Sequence, residues 1–444
     1  MKKSKKDWLL TMIFLAAVNL ELGASSPGDT LRITLDDALK IALSENITVK
    51  IADQEIVKQQ YVKNSGYGAL FPQIDFNGNY QLAVAKQVMY LDGIPGMDEG
   101  MPVGRDHNWS LGFSASMPLV SAVMWKGLKV SAYDVELAIE KAHSSRTEMT
   151  DQVKSAFYGV LLAKDAYQVY KEVYDNALDN YNHIRQKYEE GLYAEYDYIR
   201  ADVNVKNAEP KLYDAENTLI LAHWYLKALL GLDLESPVQC LGALADHEVE
   251  ILEDVVPSGS SLENNSMLKQ IEIQQLQLKR VKQMRLAQYY PSLYLSFNYM
   301  WNSMSNDWKF RNYNWDPYSM LGLTLSIPIF SGGQRLHDVK QTQISINQLA
   351  LQRLDVERNL HVAVKQAEDQ MATSIKQYHA ARAGVVQSEK GYAISLERYN
   401  SGGGTILEIN DSQLSLTQAR LNLNHAIYNY LIAKSSLEKL IGNK

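Results

Sequence analysis

The sequence predicts an α+β membrane protein in which each chain supplies four β-strands and two long antiparallel coiled-coil helical hairpins. Three observations predict this. Landmarks of the first half return in the second at nearly constant spacing, heptad seams of unusual length follow them, and four short segments change to a period of two.

Composition sets the outer limits. The chain has 444 residues of which 46% are hydrophobic, enough for a sizeable core. Its net charge is −7 and no Lys/Arg face is interleaved with aromatics, which argues against nucleic acid as a partner. The single cysteine, Cys240, excludes an intramolecular disulfide framework or a Cys-rich metal site and reads as a bland buried thiol. Tyr outnumbers Phe by 27 to 8, a bias the helices must explain.

The N-terminus, MKKSKKDWLLTMIFLAAVNLELGASS, has four lysines, an apolar run from Trp8 to Leu20 and small residues from Ala24 to Ser26. This is the layout of a cleavable signal peptide over residues 1–24, since the run falls short of the roughly 20 residues that span a bilayer. No later segment is apolar for long enough to be a membrane helix. An exported chain of this kind is either soluble beyond the inner membrane or enters an outer membrane as strands.

The repeat comes next in the chain. Pro72 in LFPQIDFNGNY matches Pro291 in YYPSLYLSFNY, Pro118 in FSASMPLVS matches Pro328 in TLSIPIFSGG, and EEGLYAEYD from Glu189 matches SGGGTILEIND from Ser401. Duplication predicts a first structural repeat over 25–235, a linker over 236–262 and a second repeat over 263–444.

Each element then follows from its period. Strands are expected at about 72–84 and 108–118, where Ile74, Phe76, Tyr80 and Leu82 alternate with Gln73, Asp75, Asn79 and Gln81, and Trp109, Leu111 and Phe113 alternate with Ser110, Gly112 and Ser114. Two more are expected at about 291–301 and 318–328, with Leu293, Leu295, Phe297 and Tyr299, then Leu321, Leu323, Leu325 and Ile327, on one face. Trp109, Trp301, Trp308, Trp315 and Tyr318 gather near strand ends, as at a membrane interface. The turn-rich connection from Tyr90 to His107 would then face outward.

The first hairpin is predicted at about 121–231. Its seam runs Val153, Ala156, Val160, Ala163, Tyr167, Tyr170, Tyr174, Ala177, Tyr181, Ile184 and Tyr188, and resumes after Gly191 with Ala201, Val205, Ala208, Leu212 and Ala215. Adding 211 residues gives the second seam, Val364 to Tyr399 and then Ser412 to Leu440, for a hairpin at about 331–441. Large Tyr alternates with small Ala or Ser, so rings fill the spaces beside small neighbours. Pro210 interrupts the arm that follows Gly191 and is expected to bend its helix locally.

Alternating strands also suit a soluble antiparallel sheet with one buried face. If they enter a membrane, four strands cannot close a barrel, because about eight are the fewest that do. Two copies would give eight strands with a filled interior, and three would give twelve with room for a channel.

Taken with their order and spacing, the proline-bounded strand pairs, the turns KYEEGLYAEYD and RYNSGGGTILEIND and the ending LNLNHAIYNYLIAKSSLEKLIG resemble the TolC-like outer-membrane efflux proteins. The resemblance covers nearly the whole chain after the signal segment. It implies a homotrimer with a twelve-stranded barrel in outer-membrane lipid and a twelve-helix periplasmic tunnel. It also implies a passive channel serving a tripartite efflux or type I secretion system, with a periplasmic adaptor protein and an inner-membrane pump as partners.

By the same resemblance Asp197 and Tyr399 hold the closed periplasmic gate, and Glu408 and Asp411 form an acidic ring that narrows the entrance. The turn residues Gly191, Leu192, Tyr193, Gly402, Gly403 and Gly404 would contact the adaptor. Gly404 stands where the family pattern often has an arginine, which removes the salt bridge such an arginine would offer. Helix-start chemistry is a plainer explanation for acids after a turn, since they favour the helix dipole.

Two other functions compete with this reading. A secreted periplasmic coiled-coil scaffold or adaptor would use the same helices with no membrane barrel. An enzyme finds little support, because the nine His are scattered with no HExxH pair, nucleophile elbow or metal-spaced cluster, and no cofactor motif is present.

Overall fold

The structure, a computed structural model, describes residues 30–90, 100–253 and 261–442. The expected signal segment, residues 91–99 of the outward connection and residues 254–260 of the linker lie outside the described residues.

In chain order the elements are β1 (Leu31–Ile33), α1 (Leu35–Glu45), α2 (Ile47–Gly68), β2 (Gln73–Leu82), β3 (Gln87–Met89), β4 (Met101–Val103), β5 (His107–Val120), α3 (Ala122–Glu189), α4 (Glu195–Leu230), β6 (Val238–Cys240), α5 (Glu248–Glu253), α6 (Ser266–Ala287), β7 (Ser292–Ser305), β8 (Asp316–Ser326), α7 (Gln334–Asn400) and α8 (Ile406–Ile441). Lengths recur in two series. α2 and α6 have 22 residues each, α3 and α7 have 68 and 67, and α4 and α8 have 36 each. None of the described helices is long and apolar enough to cross a membrane.

Four helices, α1, α2, α5 and α6, lie outside the two expected hairpins. Of these, α2 leaves Ile47, Ile51, Val57 and Tyr61 exposed, so its apolar residues mark no single buried stripe. α1 has a clear local start: Thr34 Oγ1 accepts the Asp37 N–H at 3.3 Å while Asp37 Oδ2 accepts the Thr34 N–H at 3.2 Å, a reciprocal capping box. Four short strands, β1, β3, β4 and β6, also lie outside the expected elements, and α4 runs through Pro210 as one helix. Its seam neighbours Ala208 and Ala215 stay buried, and their burial outweighs the lost backbone bond.

The described chain divides into two compact units, one holding the described parts of 1–47, 148–259 and 365–439, the other those of 48–147, 260–364 and 440–444. Each unit therefore draws on both halves of the sequence. A 68-residue helix is too long to belong to one core, so the duplicated halves do not form separate domains.

The second unit contains a four-stranded antiparallel sheet in the order β2-β5-β7-β8. Its register places Phe76 opposite Phe113, Phe113 opposite Tyr299 and Phe297 opposite Leu321, so one face is apolar across all four strands. On the other face Asn77 pairs with Gly112, Ser114 with Asn298, and Ser296 with Gly322. The β5–β7 register shifts between Pro118 and Val120, where proline has no N–H to give the ladder. At the far ends Tyr80 lies 4.4 Å from the Trp109 ring and Trp308 lies 4.6 Å from His107, an aromatic cluster joined by Phe310.

The first unit is built on the seams. Val153, Val160, Ile184, Ala201, Met371, Ser374, Tyr378 and Tyr430 are each no more than 2% exposed. β1 and β6 form a small parallel ladder there, with Ile33 beside Cys240. The linker residues before 254 pack on the helices: Tyr378 donates to Glu248 at 2.8 Å, Lys434 to Glu250 at 2.6 Å, and the His247 ring meets Tyr158 edge-on at 5.3 Å.

Within each repeat an asparagine ties a helix end. Asn46 Nδ2 donates to Leu229 O at 2.7 Å in the first unit, and Asn265 Nδ2 donates to Leu440 O at 2.8 Å in the second. These positions are 219 residues apart.

Candidate functional site at the hairpin tips

Both hairpins turn by the same local chemistry. Gly191 and Gly402 have φ of 75° and 77°, the left-handed conformation that glycine adopts without a Cβ penalty. Leu192 N–H bonds Lys187 O at 2.8 Å and Gly191 N–H bonds Tyr188 O at 2.9 Å; Gly403 N–H bonds Arg398 O at 2.8 Å and Gly402 N–H bonds Tyr399 O at 3.0 Å. Each pair satisfies carbonyls that a helix end would otherwise leave open, the Schellman arrangement. The turns are thus fixed by glycine placement.

After the second turn Thr405 Oγ1 accepts the Glu408 N–H at 3.3 Å and starts α8. Glu408 is in the first turn of α8 and Asp197 in the first turn of α4, where the helix dipole favours acids. Asp411 lies beyond that turn and is exposed, so helix-start chemistry does not account for it.

The fold brings some expected residues together and leaves others apart. Tyr399 shares a side-chain hydrogen bond with Tyr193, and Asp197 is close enough to act on it electrostatically. Burial raises the Tyr399 phenol above its ordinary range, and the Tyr193 bond and the Asp197 charge push the same way, so the hydroxyl remains protonated at neutral pH. Glu408 instead pairs with Arg398, Nη1 to Oε2 at 3.3 Å. Leu192, Gly191, Gly402 and Gly403 are exposed at the turns, whereas Tyr193 and Gly404 are half-buried.

Sequence reading missed Arg398, the hydrogen-bonding role of Tyr193, and Arg420 on α8, which reaches Glu172 on α3 at 2.8 Å and Glu389 on α7 at 3.2 Å. Arg398 had a signal: it stands 211 residues after Lys187, and both cations lie in the last turn of a hairpin arm. Lys187 sits over the Tyr193 ring at 5.3 Å.

Behind the tips a cavity of about 430 Å³ opens among the four hairpin helices, lined by Asn176, Asn180, Asn204, Asn207, Asn410, Gln413 and Tyr399 among others. Gln413 Nε2 is buried there without a hydrogen-bond partner among the described residues. Such an amide-lined space offers water the polar partners that the buried Val and Ala of the seams do not.

A sequence model described as "Outer membrane efflux protein" matches residues 38–232 and 258–443. The outer membrane protein TolC of Vibrio cholerae is 21% identical over 382 residues, covering 85% of this chain and 83% of that protein. TolC of Salmonella enteritidis is 23% identical over 374 residues, covering 77% and 73%. The crystal structure of the Campylobacter jejuni CmeC outer membrane channel superposes with a TM-score of 0.73 over 92% of this chain and 85% of that one, at 17% identity. At that identity the structural likeness speaks for the fold, and the family match over most of the chain speaks for membership. Duplicated strands and hairpins, an aromatic cluster at the strand ends and glycine-turned tips converge with it: the chain belongs to the outer membrane efflux protein family, the exit ducts of tripartite efflux systems in the outer membrane, which are not enzymes.

Proposed function

We propose that three copies close one twelve-stranded barrel through the outer membrane and continue it as a tunnel of twelve helices. The observation that carries this is the open sheet. β2 and β8 are its two edges, every residue of β2 is exposed and β8 is exposed at all but one position, while β5 and β7 between them are partly covered. Lipid offers an unpaired edge no hydrogen bonds, so the edges must pair. β2 and β8 run in opposite directions in the antiparallel order, so β8 of one copy can pair antiparallel with β2 of the next. Four strands per chain then make twelve with three copies, enough for a lumen.

Export by a cleavable signal over 1–24 and two repeats joined by the 236–262 linker belong to the same reading. The tunnel receives cargo from an inner-membrane pump through a periplasmic adaptor seated on the turns around Gly191–Tyr193 and Gly402–Gly404. Asp197 and Tyr399 hold the tip closed, and Glu408 and Asp411 set the charge of its entrance. Three copies of two acids one helical turn apart concentrate negative potential at a constriction and favour cations. The duct itself supplies no energy; the pump does.

Native mass of the protein extracted in detergent from the outer-membrane fraction tests the assembly. Three chains per particle are expected. A monodisperse monomer that stays soluble without detergent would remove the barrel and leave the coiled-coil scaffold.

A further inference from the structure

We infer that Arg398 sets the charge of the entrance by neutralising Glu408 from the opposite arm of the hairpin, so that Asp411 carries the standing charge of the ring. This rests on the reading of Glu408 and Asp411 as the entrance ring. Arg398 is placed by the last turn of α7, and its guanidinium spans the loop: Nη2 donates to Gly403 O at 3.2 Å and Nη1 lies 3.3 Å from Glu408 Oε2. One side chain thus fixes the turn and pairs with the acid.

The position of Gly404 explains why the cation comes from this side. A Cβ there would sit 3.0 Å from Tyr399 N, 3.1 Å from Arg398 C and 3.2 Å from Arg398 Cβ. Two of these neighbours are backbone atoms at the end of α7, so a side chain at 404 needs them to give by a few tenths of an ångström. Arg398, on the other arm, reaches Glu408 without that displacement.

The first hairpin is the internal control. Lys187 and Asp197 occupy the positions 211 residues before Arg398 and Glu408, yet Lys187 lies over the Tyr193 ring and Asp197 has no ion pair among the described residues. Of the two repeated acid and base arms, only the second closes into a pair. Asp197 faces Tyr399, and Glu408 faces Arg398.

The pair is exposed, with side-chain accessibilities of 57% for Arg398 and 41% for Glu408, so it adds little stability. Its effect is on the field that a permeating ion meets.

The test uses the whole protein reconstituted in planar lipid bilayers, with K⁺ over Cl⁻ permeability from the reversal potential in a KCl gradient and the Mg²⁺ concentration that half-blocks current. Arg398→Gln exposes the Glu408 charge and is expected to raise both K⁺ preference and Mg²⁺ sensitivity by about twofold or more. Arg398→Lys stays near the parent, Glu408→Gln shifts selectivity the opposite way because Arg398 is left unpaired, and the double variant Arg398→Gln with Glu408→Gln loses the gain. An Arg398→Gln gain that persists without Glu408, or no change in Arg398→Gln while Glu408→Gln shifts selectivity, overturns the inference and leaves the ring standing. No change in either Glu408→Gln or Asp411→Asn overturns the ring and the inference together. If Arg398→Gln does not assemble, Asp411→Asn decides: with Glu408 neutralised it removes the ring's K⁺ preference, and a preference that persists in Asp411→Asn and is lost on adding Glu408→Gln refutes the pairing.

Discussion

Replacing Asn265 by Ala removes three hydrogen bonds at one buried point. The side chain is 6% exposed; its Oδ1 accepts Met267 N–H at 3.0 Å and Leu268 N–H at 3.2 Å, and its Nδ2 donates to Leu440 O at 2.8 Å. Loss of the cap at the start of α6 costs about 0.5–2 kcal/mol. Leaving the Leu440 carbonyl without its partner near the end of α8 costs about 1–3 kcal/mol more. Some of this overlaps, so about 2–4 kcal/mol is expected, equivalent to roughly a thirtyfold to thousandfold change in a local opening constant. Hydrogen–deuterium exchange of the detergent-solubilised protein reads it directly, because Met267 and Leu268 amides lose their acceptor. Asn265→Asp separates the two effects: the cap oxygen remains while the donor to Leu440 is gone, so exchange at 267–268 stays slow and the C-terminal turn of α8 alone loosens. Unchanged exchange at 267–268 in Asn265→Ala would refute the argument, since it would mean that the cap holds nothing in place.

Three further expectations follow from the same kind of reasoning. On the tip reading proposed above, Tyr399→Phe removes the hydroxyl shared with Tyr193, a bond worth about 0.5–1.5 kcal/mol per chain, and should raise the open-to-closed ratio about two- to tenfold per chain in bilayer recordings; an unaltered ratio would remove Tyr399 from the gate. Burial pushes the Cys240 thiol up to about 11 from 9.0, so maleimide at pH 8 should label unfolded but not folded protein. Because the folded state holds this proton more tightly, its contribution to stability is full below about pH 9 and is lost as pH rises toward 11, which pH-dependent unfolding of Cys240→Ala against the parent will show. His223 is shifted the other way: burial, helped by Lys227 and Lys164, holds its imidazole below 6.5, and its Nδ1 has no partner among the described residues. The unfolded chain takes up that proton first as pH falls through about 6.5, so stability drops on acidification and His223→Gln should flatten the loss; an equally steep profile in the variant would assign it elsewhere.

The sequence by itself carried whatever is periodic or locally encoded. Heptad spacing gave the long helices from Ala122 and Gln334, period-two alternation gave the four strands, and Gly191 and Gly402 gave the turns, because side-chain direction along a helix or strand depends only on local geometry. It left α1, α2, α5 and α6 unread: in α2 the exposed Ile47, Ile51 and Tyr61 mark no buried stripe, whereas α1 does carry a local signal in its Thr34–Asp37 capping box. It also placed Asp197, Tyr399 and Glu408 by position without showing their partners. Only the tertiary structure decided that Tyr193 meets Tyr399, that Arg420 ties Glu172 to Glu389, and that Glu408 is answered by Arg398. The physical reason is that a charge pair or hydrogen bond depends on a few ångströms between side chains on different arms, a distance set by how the turns close, whereas a period is written in each arm alone.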